Sequence, residues 1–189
     1  MNVYDFDETL YDGESSLEFF LYYFRVDPSL VKFLPSVLKA LVLYKAEKIT
    51  LDEFLNDYGK TVEDYIANHK NDFERTAKSF WDKKINKIKP FYKNIQKPDD
   101  VIITASPDFL IKEACSRLGI ENLIATKIDL VSGKIESPCF REAKIDRFRE
   151  VYPTQDIDDF YTDSMNDKFL MPLAKRVFIV KGNKIEQVK

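Results

Sequence analysis

The chain has 189 residues, enough for one full hydrophobic core or for one core with a small inserted domain. Its 29 basic and 32 acidic residues give a net charge of −3, without the cationic excess of nucleic-acid-binding domains. Two cysteines, Cys115 and Cys139, are too few for a disulfide framework, and the longest apolar region, 17–44, is interrupted by five charged residues and predicts no bilayer span.

The first predicted element is a short strand, Met1-Asn2-Val3-Tyr4, which is followed by the motif Asp5-Phe6-Asp7-Glu8-Thr9. Side chains two residues apart on a strand point the same way, so Asp5 and Asp7 are expected to lie close together. Such a pair raises the pKa of one carboxyl unless a cation intervenes, and a divalent metal is the usual cation. A solvated acidic turn is the alternative interpretation. Since the motif begins at residue 5, we expect no signal peptide and a cytoplasmic protein.

Residues 12–95 carry apolar residues at helical spacing and almost no strand pattern. The periodic segments are 17–24, 34–41, 51–58 and 73–81. This zone predicts a bundle of several helices, whose aromatic residues, Trp81 among them, are expected to be core.

From residue 96 onward, strand and helix patterns alternate. Strands are predicted at 101–104, in a pair within 122–135, at 160–162 and at 177–180, and helices at 109–118 and 142–151. This alternation predicts an α/β fold with a doubly wound parallel, Rossmann-like sheet that includes strand 1. The predicted domains are therefore an α/β catalytic core, 1–11 and 96–189, and an inserted all-helical cap, 12–95.

Reactive residues follow the predicted strands, at the edge where open α/β sheets bind ligands. Ser106 follows the strand 101–104 and is either a cap of the next helix or, with that helix N-terminus, part of a phosphate site. Lys144 lies in the first turn of the helix 142–151, where it opposes the helix dipole, so it either serves a site or is simply exposed. Asp163 and Asp167 follow the strand 160–162.

Together, the D-x-D-x-T motif, Ser106, Lys144 and the Asp163-to-Asp167 segment stand in an order that resembles the haloacid dehalogenase-like hydrolase superfamily. The helical insertion resembles that of its phosphoserine-phosphatase-like branch. The resemblance spans essentially the whole chain. It implies a Mg²⁺-dependent phosphomonoester hydrolase that acts through an aspartyl-phosphate on a small phosphorylated metabolite.

The resemblance also implies roles for individual residues. Asp5 would be the nucleophile, and Asp7 the general acid and base, oriented by Thr9. Mg²⁺ would be held by Asp5, by the backbone carbonyl of Asp7 and by Asp163.

Three further residues are assigned by the same resemblance. Ser106 and Lys144 would bind the phosphoryl oxygens, and Asp167 would support the site directly or through a neighbour. The sequence departs from the branch at two points. Pro107 has no N–H where a glycine N–H usually contacts phosphate, and the segment 139–143 lacks the glycine usual before the lysine.

The sequence indicates the leaving group of the substrate less clearly than it indicates the chemistry. Glu14 stands where phosphoserine phosphatases bind the substrate amine, nine residues after the nucleophile, although relatives of other specificity are also acidic there. A partner arginine for a substrate carboxylate cannot be assigned, so phosphoserine is possible but not favoured. A leaving group that is neutral or carries an amine is expected.

Two alternative functions remain open. A phosphotransferase could use the same aspartyl-phosphate, whereas a non-catalytic receiver-like phosphate-signalling module fits less well because it lacks the helical insertion. His69, the single histidine, is interpreted as a surface residue. The basic run 83–89 predicts a solvated helix face or a mild attraction for anions. The sequence predicts no nucleic-acid partner and gives no oligomeric state.

Overall fold

The computed structural model describes residues 1–29, 43, 48 and 63–189, and its centre is a seven-stranded sheet in the order β4-β3-β2-β1-β5-β6-β7. The strands are β1 Val3–Tyr4, β2 Val101–Pro107, β3 Asn122–Ile128, β4 Ile135–Ser137, β5 Ile157–Thr162, β6 Ala174–Lys181 and β7 Lys184–Gln187. The five inner strands are parallel, and β4 and β7 pair antiparallel at the two edges. The predicted doubly wound α/β sheet is confirmed, with β1 between β2 and β5.

In the described part of the chain, four of the five helices lie where the sequence periodicity predicts them, and the helix Pro90–Ile95 was not predicted. The helices are α1 Ser15–Tyr23, α2 Lys70–Lys84, α3 Pro90–Ile95, α4 Asp108–Leu118 and α5 Ala143–Val151, with 3-10 turns at Ile85–Lys87, Met165–Asp167 and Met171–Leu173. Every described helix or strand element between β1 and β2 is helical, as expected for a helical insertion after strand 1. The predicted helices at 34–41 and 51–58 lie outside the described residues.

Two hydrophobic clusters pack on opposite faces of the sheet. Tyr4 and Ile102 belong to one cluster, while Val3 and Val101, their neighbours in sequence, belong to the other. This division follows from the alternation of side chains along a strand. Both faces of β1 and of the start of β2 are therefore buried, as is typical of a parallel sheet covered by helices.

The described insertion helices pack against the α/β core. Phe19 of α1 and Trp81 of α2 lie in the same hydrophobic cluster as Tyr4, and Trp81 is fully buried, which confirms its core assignment. Its indole N–H donates to the backbone carbonyl of Leu110 in α4 at 2.8 Å. The boundary at residues 12 and 95 stays a prediction. Within the described ranges, no helix has the length and apolar character of a membrane span.

Candidate active site

The carboxyl ends of β1, β2 and β5 bring the predicted residues together. Asp5 directly follows β1, and its backbone N–H bonds to the carbonyl of Tyr161 in β5 at 2.9 Å. Ser106 lies near the end of β2, and Asp163 comes one residue after β5. Because β1 lies between β2 and β5, Asp5 has one of these strand ends on either side.

A buried lysine joins two of the carboxylates. The Lys144 ammonium lies 2.8 Å from Oδ1 of Asp5 and 2.7 Å from Oδ1 of Asp167. Asp167 also accepts a hydrogen bond from the Thr162 hydroxyl at 2.9 Å. Asp5, Lys144 and Asp167 are all less than a tenth exposed. Lys144 is therefore a buried member of this cluster, not an exposed lysine, and Asp167 contacts it through a direct ion pair.

Burial and the neighbouring charges shift the pKa values of Asp5 and Lys144. Burial raises the pKa of Asp5; the Lys144 ammonium opposes this increase and the nearby Asp167 carboxylate adds to it. Burial alone would lower the pKa of Lys144, but the two carboxylates outweigh it and raise that pKa. The lysine thus stays charged between Asp5 and Asp167, and the raised pKa of Asp5 favours its protonated form when no further cation is near.

Asp7 faces the start of α1. Its Oδ1 accepts a hydrogen bond from the backbone N–H of Ser15 at 2.6 Å, and its Oδ2 accepts one from the Ser106 hydroxyl at 2.5 Å. The Ser16 hydroxyl lies 2.6 Å from that of Ser106. Burial raises the pKa of Asp7, and the bonds from Ser106 and Ser15 oppose the increase. Sequence reasoning missed Ser15 and Ser16, although their position directly after Glu14 could have indicated them.

Two local interpretations are wrong. Ser106 does not cap α4, whose N-cap is Pro107, because β2 continues to Pro107 and turns the Ser106 hydroxyl toward Asp7. Thr9 does not contact Asp7. Its hydroxyl lies 3.4 Å from Oδ2 of Asp5, because Glu8 adopts a left-handed conformation, with φ of 55°, between the two residues.

Glu14 and Asp163 complete the acidic side of the site. Glu14 is exposed at the N-cap position of α1, and its charge raises the pKa of both Asp7 and Asp163. Burial raises the pKa of Asp163 to about 6, with contributions from Asp167 and Glu14. Among the residues that the structure describes, Asp163 has no salt-bridge partner. It is a half-buried carboxylate free to ligate a cation.

The donor set near Asp5 fits a hard divalent cation. The described residues contain no cluster of three or more His, Cys, Asp or Glu side chains with metal-binding geometry. A cation would therefore need the Asp5 and Asp163 carboxylates together with a backbone oxygen, for which the Asp7 carbonyl is the candidate. Oxygen donors of this kind suit Mg²⁺. His69 takes no part, since it stacks on Tyr65 and lies 3.7 Å from Asp27.

The segment before Lys144 has no glycine but contains one residue in a left-handed conformation. Arg141 has φ of 50°, a left-handed conformation that favours glycine and costs other residues about 1 kcal/mol or more. The backbone thus retains there a conformation that glycine adopts freely. The structure also places Pro107 at the end of β2, so no N–H is available at that point.

The basic run 83–89 is not a simple solvated face. Lys84 and Lys87 form salt bridges with Glu18 of α1 at 2.8 and 2.5 Å. Lys89 is only 3% exposed, and its ammonium donates a hydrogen bond to the backbone carbonyl of Glu8. These contacts connect the two chain segments that link the helical insertion to the sheet. Sequence reasoning missed Lys89 because its charge alone predicts exposure.

Solved structures share this fold. A protein with unknown function from Bordetella pertussis Tohama I is 18% identical, with a TM-score of 0.73 and coverage of 94% of this chain and 87% of that one. A phosphoserine phosphohydrolase-like protein from Francisella tularensis subsp. tularensis SCHU S4 is 18% identical, with a TM-score of 0.58 and coverage of 94% and 86%. A phospho-aspartyl intermediate analogue of phosphoserine phosphatase is 15% identical, with a TM-score of 0.52 and coverage of 93% and 83%.

Family assignment rests on the sequence itself. No curated protein matches the chain. The family model for haloacid dehalogenase-like hydrolases matches residues 3–171, which include every residue of the site described above. The chain therefore belongs to the haloacid dehalogenase-like hydrolase family.

Proposed function

We propose that the protein is a Mg²⁺-dependent phosphomonoester hydrolase that acts through an aspartyl-phosphate on a small phosphorylated metabolite. The observation that carries the proposal is the buried Asp5–Lys144–Asp167 cluster, with Asp7 hydrogen-bonded to Ser106 beside it. It combines a nucleophile, a fixed cation and a second carboxylic acid within one strand-end cluster.

In the first step, a carboxylate oxygen of Asp5 attacks phosphorus, and the bond from phosphorus to the leaving oxygen breaks. Asp7 gives its proton to that leaving oxygen. Burial, which raises the pKa of Asp7, favours the protonated form needed at this point. In the second step, Asp7 takes a proton from water as the water attacks phosphorus, which releases phosphate and regenerates Asp5.

The remaining site residues bind or balance the negative charge of the phosphoryl group and of Asp5. Lys144 is already fixed against Asp5, and it would bind the phosphoryl oxygens with the Ser106 hydroxyl. Ser106 must then turn its donor from Asp7 to phosphate. Asp167 fixes Lys144 and needs no contact with substrate.

Mg²⁺ would be held by the Asp5 and Asp163 carboxylates and by the backbone carbonyl of Asp7. When bound, Mg²⁺ neutralises charge on the carboxylates and the phosphoryl group. The unpaired Asp163 and the oxygen-only donor set support this assignment.

We assign the choice of substrate to the helical insertion. The core residues address only the phosphoryl group and the metal, which all phosphomonoesters share. Glu14 is exposed at the N-cap of α1 and directly precedes Ser15, whose backbone N–H bonds to Asp7, so Glu14 would lie at the rim of the site beside a leaving group. A neutral or amine-bearing metabolite in the cytoplasm fits this acidic rim better than an anionic group or a nucleic acid.

A panel of phosphorylated metabolites and an aryl phosphate, assayed with Mg²⁺, tests the proposal. Wild-type protein should release phosphate, and the Asp5→Asn variant should release none while it stays folded. Near-normal hydrolysis by Asp5→Asn, or full activity in excess chelator, would overturn it. Product analysis with added alcohols distinguishes a phosphotransferase, which would transfer phosphate to the alcohol in preference to water.

A further inference from the structure

Lys89 is a buried cation that the proposed reaction does not use. It lies where the helical insertion returns to the core, directly before α3. Its ammonium donates a hydrogen bond to the backbone carbonyl of Glu8, and its backbone N–H donates to the carbonyl of Leu10 at 2.7 Å. Lys89 thus binds the segment 8–10, which directly follows Asp7, at two points on either side of Thr9.

The residue that Lys89 contacts has a strained backbone. Glu8 has φ of 55°, a conformation that is unfavourable for residues other than glycine. The peptide between Asp7 and Glu8 contains the Asp7 carbonyl, so rotation about the φ bond of Glu8 changes the direction of that carbonyl. The backbone N–H of Glu8 bonds to the carbonyl of Gly13 at 3.1 Å, and the Lys89 ammonium binds the other end of the same residue.

A lysine is a costly residue for this position. Within the described part of the chain, no carboxylate forms a salt bridge with it, and a buried ammonium with one carbonyl partner loses most of its hydration. Burial lowers the pKa of Lys89, and the charges of Glu8, Asp12 and Asp163 oppose the decrease. A charged donor forms a stronger hydrogen bond to a carbonyl than a neutral donor does. The charge of Lys89 can therefore hold the Glu8 carbonyl more firmly than a neutral side chain could.

We propose that Lys89 is a positioning residue of the active site. By binding the Glu8 carbonyl, it keeps Glu8 in its left-handed conformation and so fixes the direction of the Asp7 carbonyl. This inference rests on the proposed function, in which that carbonyl is a Mg²⁺ ligand. It assigns a role in catalysis to the segment that returns from the insertion.

The test is Mg²⁺ binding without substrate, measured by isothermal titration calorimetry on Lys89→Met. We expect binding at least about tenfold weaker than in wild-type protein, as for loss of a residue that orients a ligand. Lys93→Met, which removes an exposed lysine of α3, is the matched control and should bind as wild type does. Unchanged or tighter binding by Lys89→Met would overturn the inference, since removal of a nearby cation by itself favours Mg²⁺.

A second variant separates positioning from a general loss of structure. Glycine adopts positive φ freely, so Lys89→Met combined with Glu8→Gly should recover at least half of the lost affinity on a logarithmic scale. No recovery would overturn the inference. If Lys89→Met alone does not fold by circular dichroism, Lys89→Gln, which keeps a donor, replaces it in both comparisons. Because the titration requires no turnover, a protein that binds Mg²⁺ but hydrolyses nothing would overturn the proposed function and leave this inference standing.

Discussion

Removal of Lys144 should lower the stability of the protein, whereas removal of Asp5 should not. Lys144 lies within 2.8 Å of carboxylate oxygens of both Asp5 and Asp167, and all three residues are buried. Lys144→Met would leave two buried carboxylates without their cation. Loss of one partner from a buried ion pair costs roughly 3 to 5 kcal/mol, and we expect about 3 kcal/mol here because one acid can take up a proton.

Asp5→Asn instead leaves a neutral Lys144–Asp167 pair. Because burial and Asp167 raise the pKa of Asp5, its ionised form is disfavoured in the folded protein. The metal-free native state therefore binds a proton that the unfolded chain releases, and stability falls as pH rises above the ordinary aspartate pKa. Asp5→Asn removes this decrease, so at pH 7 it should be as stable as wild type or about 1 kcal/mol more stable.

The assay is urea unfolding in chelator at pH 5 and pH 7. Lys134→Met, an exposed substitution, serves as control and should change the free energy of unfolding by less than about 0.5 kcal/mol. The double variant Lys144→Met/Asp5→Asn should recover much of the stability lost by Lys144→Met. Equal destabilisation by Asp5→Asn and Lys144→Met would refute the reasoning, since it would mean that Asp5 is a net stabilising charge.

Four further outcomes are expected. Mg²⁺ affinity should rise between pH 5 and pH 7, because Asp163, with a pKa raised to about 6, must lose its proton to ligate; calorimetry that gives a flat profile would contradict this. With Asp163→Ala, Mg²⁺ in the physiological range should no longer increase activity, because the metal site has lost a ligand. An unchanged Mg²⁺ titration would count against the site. Glu18→Gln should lower the free energy of unfolding by about 1 kcal/mol through loss of the charged contacts to Lys84 and Lys87, as measured by urea titration. Glu14→Gln should change the ranking of substrates more than the rate with an aryl phosphate, whereas an equal loss across the panel would place Glu14 in the catalytic machinery.

Much of the fold could be predicted because its signals are local. The strand at 101–104 is a continuous apolar run, and all of its residues are buried in the structure. The edge strand Lys184–Gln187 could not be predicted in the same way, since all four of its residues are exposed and no apolar alternation marks it. It exists because Gly182, with φ of 58°, turns the chain back along β6.

The site was predictable in its members but not in its contacts. The order of Asp5, Ser106, Lys144 and Asp163 along the chain, with the family that it resembles, was enough to predict that they lie together, since Asp5, Ser106 and Asp163 follow parallel strands that end at one edge. The partner of Thr9 depended on the left-handed turn at Glu8, which nothing in the residue type indicates. Contacts that cross the fold are set by tertiary packing and leave no local pattern in the sequence.

In the proposed mechanism, Asp5 carries the phosphoryl group during turnover. Rapid quenching of wild-type protein with Mg²⁺ and an aryl phosphate, followed by borohydride reduction and peptide mass spectrometry, measures this directly. We expect reduction of residue 5 to homoserine only when substrate is present, and none in Asp5→Asn. Turnover without modification of residue 5, or with the modification at another carboxylate, would contradict it.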